Sequence, residues 1–186
     1  MLGSDPTHPM QIAAWEAAII GAIISAVLGL VALALGLVRQ HREDRRQRAR
    51  MGYELVDALF DDDGASELLM AIDSTAPPGR HRKQSDDRLS ADFVAILSGS
   101  EVLPSGRAQI VYGRLDSFFY YLDRFEHAIN AGLTDFTTVR MPVGYYIRLM
   151  TPFKARIVSY VNEVDEPRVL AFLERYPVWR GAKPLS

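Results

Sequence analysis

The sequence AAIIGAIISAVLGLVALALGLV, residues 17–38, contains no charged side chain. At about 1.5 Å of rise per residue, a helix of this length spans roughly 33 Å, which matches a hydrocarbon core of about 30 Å. Because backbone polar groups in lipid must be satisfied within the segment, we expect the run to be helical. The sequence therefore predicts a transmembrane helix over residues 14–38, preceded by a disordered lead of residues 1–13.

A cleaved signal peptide is the alternative interpretation of such a run. Signal peptides carry positive charge ahead of a shorter apolar region that ends at a small-residue cleavage site. Here Asp5 and Glu16 precede the run, and no Lys or Arg occurs before Arg39. The small-residue string at 32–34 lies inside the apolar stretch. These features favour a retained anchor.

An arginine-rich segment, LVRQHREDRRQRARM at residues 37–51, follows directly. Positive residues within about 15–20 residues of a span mark its cytoplasmic side. We therefore expect the N-terminus outside the inner (plasma) membrane and the C-terminal domain in the cytoplasm. Glu43 and Asp44 interrupt the segment and no aromatic residues are interleaved, which disfavours a nucleic-acid surface. Attraction of about 1 kcal/mol per arginine to an anionic leaflet predicts contact with lipid headgroups through Arg39, Arg42, Arg45 and Arg46.

The rest of the chain has the size and composition of one globular domain. The protein has 186 residues, 21 of them basic and 23 acidic, and the arginine-rich segment takes six of the basic ones. Residues 51–186 are therefore mildly acidic, and they are numerous enough to enclose a core. Because the chain has no cysteine, disulfides, thiol catalysis and cysteine-based zinc sites are excluded.

Helical periodicity runs through the domain, and no segment alternates like a strand. We predict an all-α fold, in which a basic juxtamembrane helix over 39–60 leads into a small irregular bundle of four to six helices over 61–186. A loop is expected near 74–87, and Asp63 or Ser66 should cap the second helix. The strongest pattern lies in residues 107–132, where Gly132 suits the position just after a helix end. Apolar residues at spacings of four and three form one helical face: Val111, Leu115, Phe118, Leu122, Phe125 and Ile129.

Prolines and an acidic residue set the expected boundaries near the C-terminus. Pro142 suits the first turn of a helix, so we expect one to begin at Met141. Pro152 should kink or divide that helix before residue 162. Asp165 is expected to cap a last helix that has Pro167 early in it.

Few residues form a pattern that supports catalysis. Asp116, Tyr120, Asp123 and His127 have spacings of four, three and four, which place them on one side of a helix. A carboxylate four residues before a histidine can share a metal, although a solvent-exposed face is the more common meaning of such spacing. The three acids at 61–63 lack the spacing of an EF-hand loop, so helix capping is the preferred interpretation. We assign no catalytic, cofactor-binding or metal-binding residue and expect no enzyme.

Two further patterns suggest contact surfaces. The aromatic residues at 118–121 and 145–146 are expected in the core and its rim, with a ligand groove between their two helices as the alternative. In the span, small residues recur every four positions, and such a stripe lets membrane helices approach closely. It predicts a homo-oligomer, or pairing with another membrane helix, through Gly21, Ser25 and Gly29, with Gly36 near the same face.

The layout resembles a class of uncharacterised bacterial single-pass membrane proteins with a C-terminal cytoplasmic helical domain. The segment RLDSFFYYLDRFEHAINAGLTD, residues 114–135, is similar to the aromatic helix, glycine and acidic turn of that class, and FLERYP, residues 172–177, is similar to its closing helix. The resemblance implies a helical fold and brings no residue roles with it.

Three functions are compatible with the sequence. The first is a non-catalytic membrane-anchored protein that acts in protein interaction or self-assembly. The second is a membrane-linked sensor or a defence or signalling module, which predicts a cavity between the aromatic helix and the next one. The third is a membrane-tethered hydrolase, which requires His127 to face a cleft together with carboxylates from a second helix.

Overall fold

The architecture is that of a computed structural model, which describes residues 8–74, 87–100 and 103–181, with side-chain environments for 19, 21–22, 25–74, 88–100 and 103–181. Every regular element in these ranges is helical, which confirms the all-α prediction. The α-helices are α1 His8–Asp61, α2 Asp63–Ser74, α3 Asp87–Ser98, α4 Ser105–Asn130, α5 Phe136–Leu149, α6 Lys154–Glu163 and α7 Pro167–Glu174. Two short 3₁₀ helices are Thr151–Phe153 and Pro177–Trp179.

The chain divides into two compact units, Met1–Arg46 and Gln47–Ser186. In the first unit the described element is α1, which begins at His8, ahead of the position 14 expected from the sequence. No helix in the described part of the chain has a stretch that is both long and apolar enough to cross a membrane. Eight residues of the predicted span, at 14–18, 20, 23 and 24, lie outside the residues with described side chains.

Two other expectations fall on residues that the structure does not describe. The predicted lead includes residues 1–7, and most of the loop expected near 74–87 consists of residues 75–86. The described helices on either side are α2, which ends at Ser74, and α3, which begins at Asp87.

The turn between α1 and α2 is capped by Asp62. α1 ends at Asp61, one residue beyond the predicted end of the juxtamembrane helix. Asp62 Oδ1 accepts a hydrogen bond of 2.8 Å from the Ala65 backbone N–H, which satisfies one of the free donors at the start of α2. The prediction of Asp63 or Ser66 as the cap was therefore wrong by one residue or more, since both lie inside α2.

Helix α4 forms the centre of the domain core and packs against α2, α3 and α7. Its predicted apolar stripe is confirmed, because Val111, Leu115, Phe118, Leu122 and Phe125 are fully buried. Ile129, the last residue of the stripe, is partly buried against the same core.

The end of α4 follows the predicted glycine signal. Gly132 has a φ of 68°, a left-handed conformation that glycine adopts without steric cost. Its N–H donates to the Ile129 carbonyl at 3.0 Å, and the Leu133 N–H donates to the Ala128 carbonyl at 2.9 Å. This Schellman arrangement ends α4 and directs the chain into α5.

Pro142 was placed wrongly by the sequence argument. α5 begins at Phe136, so Pro142 lies inside the helix and not in its first turn. Asp135 is the residue that precedes the helix. The segment FTTVR, residues 136–140, therefore forms the first turn of α5, ahead of Pro142. Pro152 was predicted correctly, because the 3₁₀ helix Thr151–Phe153 divides α5 from α6.

The boundary before α7 also differs by one residue from the expectation. Asp165 has a φ of 57°, so it forms a left-handed turn, and Glu166 is the residue that precedes the helix. Pro167 occupies the first turn as predicted. After α7, Trp179 is buried and its Nε1–H donates to the Ile147 carbonyl at 3.1 Å, which ties the last described turn to α5.

Residues 47–61 of α1 belong to the domain core through Leu55, Val56 and Leu59, which are buried. Gly52 lies against Thr134 and Thr138, at the start of α5. A Cβ atom at Gly52 would lie 2.4 Å from Thr134 Oγ1 and 2.7 Å from Thr138 Cγ2. A side chain at position 52 would therefore force Thr134 and Thr138 to move, which the sequence alone did not indicate.

Candidate functional site

The polar side of α4 carries the four residues that the sequence grouped. Asp116, Tyr120 and His127 are exposed and Asp123 is partly buried, so the predicted face exists. Its two carboxylates are engaged by later helices. Asp116 Oδ1 accepts a hydrogen bond of 2.6 Å from the Tyr160 hydroxyl, and Asp123 Oδ1 accepts one of 2.5 Å from Arg168 Nε.

These contacts fix the protonation of the partner groups. Burial, together with the hydrogen bond to Asp116, raises the pKa of the Tyr160 phenol, so the hydroxyl remains the donor. The hydrogen bond to Asp123 raises the pKa of the Arg168 guanidinium. Both acids therefore act as acceptors that attach α6 and α7 to α4.

His127 lies at the exposed end of this face. The hydrolase hypothesis requires carboxylates from a second helix near it, whereas the described neighbours of the two aspartates are a tyrosine and an arginine. Among the described residues, no group of three or more histidines and acids is arranged to hold a metal ion.

The described surface contains an open groove of about 400 Å³ between α4 and α6, lined by Tyr112, Arg156, Ser159, Tyr160 and Glu163. Tyr112 and Tyr160 stack with ring centroids 4.9 Å apart, and these rings form its aromatic wall. The sequence placed a groove between α4 and the following helix, so the observed groove lies one helix further along the chain. Tyr112 was missed, although its position four residues before Asp116 places it on the same side of α4.

The aromatic residues singled out from the sequence divide between core and surface. Phe118, Phe119 and Tyr121 are buried, while Tyr120 is exposed beside the guanidinium of Arg124. Tyr145 is exposed, and its hydroxyl donates to Asp73 Oδ1 at 2.6 Å. That hydrogen bond raises the pKa of Tyr145, so this tyrosine links α5 to α2 as a donor.

Two buried ion pairs were not found from the sequence. Glu126 is buried on α4, and its carboxylate accepts hydrogen bonds of 2.6 and 2.8 Å from Nε and a terminal nitrogen of Arg175. Asn130 extends the network, since it accepts from Arg175 at 3.0 Å and donates to Glu126 at 3.2 Å. The Arg175 guanidinium also lies 5.8 Å from the centre of the Phe136 ring.

The second pair joins α3 to the start of α4. Asp92 is buried, and both its oxygens accept hydrogen bonds from Arg107, one of them at 2.8 Å from Nε. The hydrogen bond from Arg107 holds the pKa of Asp92 below its usual range. Asp92 and Arg107 are 15 positions apart and lie on different helices, so no local pattern pairs them.

The other polar motifs serve as helix ends. Within the acidic triplet at 61–63, Asp62 is the cap already described. In Ser98–Gly99–Ser100, Gly99 has a φ of 67° and the Ser100 N–H donates to the Ala95 carbonyl at 3.1 Å. This turn ends α3.

The first unit presents an apolar surface followed by a basic one. Where side chains are described between residues 19 and 38, the large apolar residues are exposed, by 44% for Ile19 up to 66% for Leu30. A Cβ atom at Gly21 or Gly29 would meet no other atom within 4 Å. Arg39 forms an exposed ion pair with Glu43 at 3.5 Å, whereas among the described residues no ion pair involves Arg42, Arg45 or Arg46.

No known protein family, curated protein or solved structure matches this chain.

Proposed function

We propose that the protein is a non-catalytic, membrane-anchored helical protein, in which residues 17–38 cross the bilayer and the domain of residues 61–186 acts in protein interaction or self-assembly. The observation that supports the anchor is a run of uncharged residues, long enough to span a bilayer, in a helix whose described apolar side chains are exposed. Lipid is the solvent that removes such a surface from water on every side.

Charge supports the orientation. Arg39 is the first basic residue of the chain, and five more arginines follow by residue 50. Under the positive-inside rule the domain would then lie in the cytoplasm and the N-terminus outside.

Non-catalytic action is supported by the hydrogen bonds that four acidic side chains of the domain make to other helices. The carboxylates of Asp116 and Asp123 are held by α6 and α7, and those of Asp92 and Glu126 are held by arginines. These acids join helices to one another, which is a structural task.

The anchor is tested by expressing the full chain in a bacterial host and washing the membranes with carbonate. We expect the wild-type chain to stay in the pellet. Val27→Arg with Leu30→Arg should move it out of the membrane fraction, because each arginine near the centre of a span costs about 2.5–3.5 kcal/mol of insertion free energy. Val27→Ile with Leu30→Met is the matched apolar control. Release of the wild-type chain by carbonate would refute the proposal.

A second candidate, a membrane-linked sensor, is favoured by the groove between α4 and α6. Its volume of about 400 Å³ is within the range of small-molecule sites, which runs from about 300 to 1,000 Å³. A fragment screen by ligand-observed NMR tests it. Binding that disappears in Tyr112→Ala but persists in Tyr120→Ala would support a sensor, and binding that ignores both substitutions would contradict it.

A further inference from the structure

The arginine-rich part of the first unit gives each cation a defined distance from the apolar run. α1 is an uninterrupted helix through this part, so each residue advances about 1.5 Å along its axis. Arg39 and Arg42 follow Val38 by one and four residues, or roughly 1.5 and 6 Å. Arg45 and Arg46 follow it by seven and eight residues, or roughly 11 and 12 Å.

These distances separate the arginines relative to a headgroup layer. A bilayer about 40–45 Å thick with a core of about 30 Å leaves roughly 5–7 Å of headgroup region on each side. On this scale the backbone of Arg39 and Arg42 lies within the headgroup region, whereas that of Arg45 and Arg46 lies beyond it, about 11–12 Å from the core edge.

Among the described residues, no buried ion pair holds Arg39 or Arg42. Arg42 has no ion pair in the described chain, and the Arg39–Glu43 pair is long and has exposed partners, so water screens it and either side chain can exchange it. Guanidinium groups bind phosphate in a two-pronged geometry, for which an anionic phosphodiester lipid has the required oxygens.

We propose that Arg39 and Arg42 form a binding site for the phosphates of anionic membrane lipids, and that Arg45 and Arg46 lie outside it. This inference rests on the proposed function, because it takes the end of the apolar run as the edge of the hydrocarbon core. Under this proposal, two residues of the basic segment, Arg39 and Arg42, distinguish anionic from neutral lipids.

The test measures lipid binding to the purified full-length chain in mild detergent by native mass spectrometry. The probes are phosphatidylglycerol and phosphatidylcholine with the same acyl chains. We expect Arg39→Gln with Arg42→Gln to weaken phosphatidylglycerol binding roughly 30-fold, from about fivefold per arginine. Arg45→Gln with Arg46→Gln, which removes the same charge, should weaken it less than about fivefold because the backbone of these residues lies beyond the headgroup region.

Equal weakening by the two double variants, or no weakening by the first, would overturn the inference. Competition by a soluble acidic peptide as effective as that by phosphatidylglycerol would also overturn it, since the segment would then bind acidic protein. If carbonate releases the wild-type chain from membranes, the proposed function itself fails. A chain that stays in the membrane while both double variants behave alike refutes the lipid site alone.

Discussion

Glu126 and Arg175 show how a single buried acid holds two helices of this domain together. The Glu126 carboxylate is 5% exposed and the Arg175 side chain 30% exposed, and two charge-assisted hydrogen bonds join them. The hydrogen bond to Glu126 raises the pKa of Arg175, so the guanidinium stays charged. Removing the acid leaves a mostly buried cation without its counter-charge.

Glu126→Gln should therefore lower the free energy of unfolding of the domain by about 2–3 kcal/mol, below the 3–5 kcal/mol of a fully buried pair because Arg175 keeps some contact with water. The matched control is Glu174→Gln on α7, an exposed acid, which should change stability by less than about 0.5 kcal/mol. Urea unfolding of the full chain in mild detergent, followed by circular dichroism, measures both. Equal stabilities would show that the ion pair does not contribute.

Asp92 predicts a loss of stability in acid. Because Arg107 lowers the folded-state pKa of Asp92, the unfolded chain binds this proton more readily than the folded one. The stabilisation is fully present above the unfolded pKa of about 3.9 and is lost as the pH falls through the folded pKa. Asp92→Asn should thus be less stable than wild type at neutral pH, and its stability should fall less between pH 5 and pH 3. Parallel curves for the two proteins would contradict this assignment.

The packing around Gly52 predicts that alanine at this position destabilises the domain, whereas helix propensity alone predicts that it stabilises it. Gly52→Ala places a methyl group against Thr134 and Thr138, so it should cost about 1–3 kcal/mol of unfolding free energy despite alanine's better helix propensity. Gly113→Ala on α4 has no atom within 4 Å of the new methyl group and should stabilise by about 0.5–1 kcal/mol. Opposite signs for the two alanines in urea unfolding support the close approach, and a stabilising Gly52→Ala would refute it.

At the scale of the element, α1 places Arg39 and Glu43 on the same side as its small residues. Arg39 lies 18 residues, or about five turns, beyond Gly21, and Glu43 lies about five turns beyond Ser25. Two copies paired in parallel through the small residues would therefore bring Arg39 and Glu43 of each copy close together.

If the small residues mediate pairing, Gly29→Ile should reduce the crosslinked dimer of the full chain several-fold, because the larger side chain keeps the helices apart. Ala34→Ile adds a similar volume to the opposite side of α1 and should leave the dimer unchanged. Size-exclusion and crosslinking in mild detergent compare the two. A dimer unaffected by Gly29→Ile would remove the small residues from the interface, and loss in both variants would indicate a general disturbance of the span.

The elements also show what the sequence could and could not predict. α4 was predicted because its apolar residues keep a helical period for about five turns. Its end was predicted at Gly132 because glycine adopts a left-handed backbone conformation more readily than other residues. Pro142 misled because proline is equally compatible with a first turn and with a helix interior that tolerates one lost hydrogen bond. Glu126 and Arg175 are 49 positions apart, and no local pattern pairs residues at that separation.

At the scale of the molecule, helical periodicity predicted some features of the candidate sites and not others. The polar side of α4 was predicted, whereas its attachment to α6 and α7 depends on tertiary packing that brings Tyr160 and Arg168 to it. The groove between α4 and α6 has the same origin, since Tyr112 and Tyr160 meet only in the folded domain. The anchor needed no tertiary information, because length, charge and hydropathy predict it from one continuous segment.

The central claim is that residues 17–38 cross a bilayer with the domain on the cytoplasmic side, and cysteine labelling tests it most directly. The chain has no cysteine, so Ser4→Cys and Asn162→Cys each introduce a unique thiol. In spheroplasts of an expressing bacterial host, we predict that a membrane-impermeant maleimide labels the cysteine at position 4, and labels the one at 162 only after permeabilisation. Labelling of position 162 in intact spheroplasts, or of position 4 only after permeabilisation, would contradict the account.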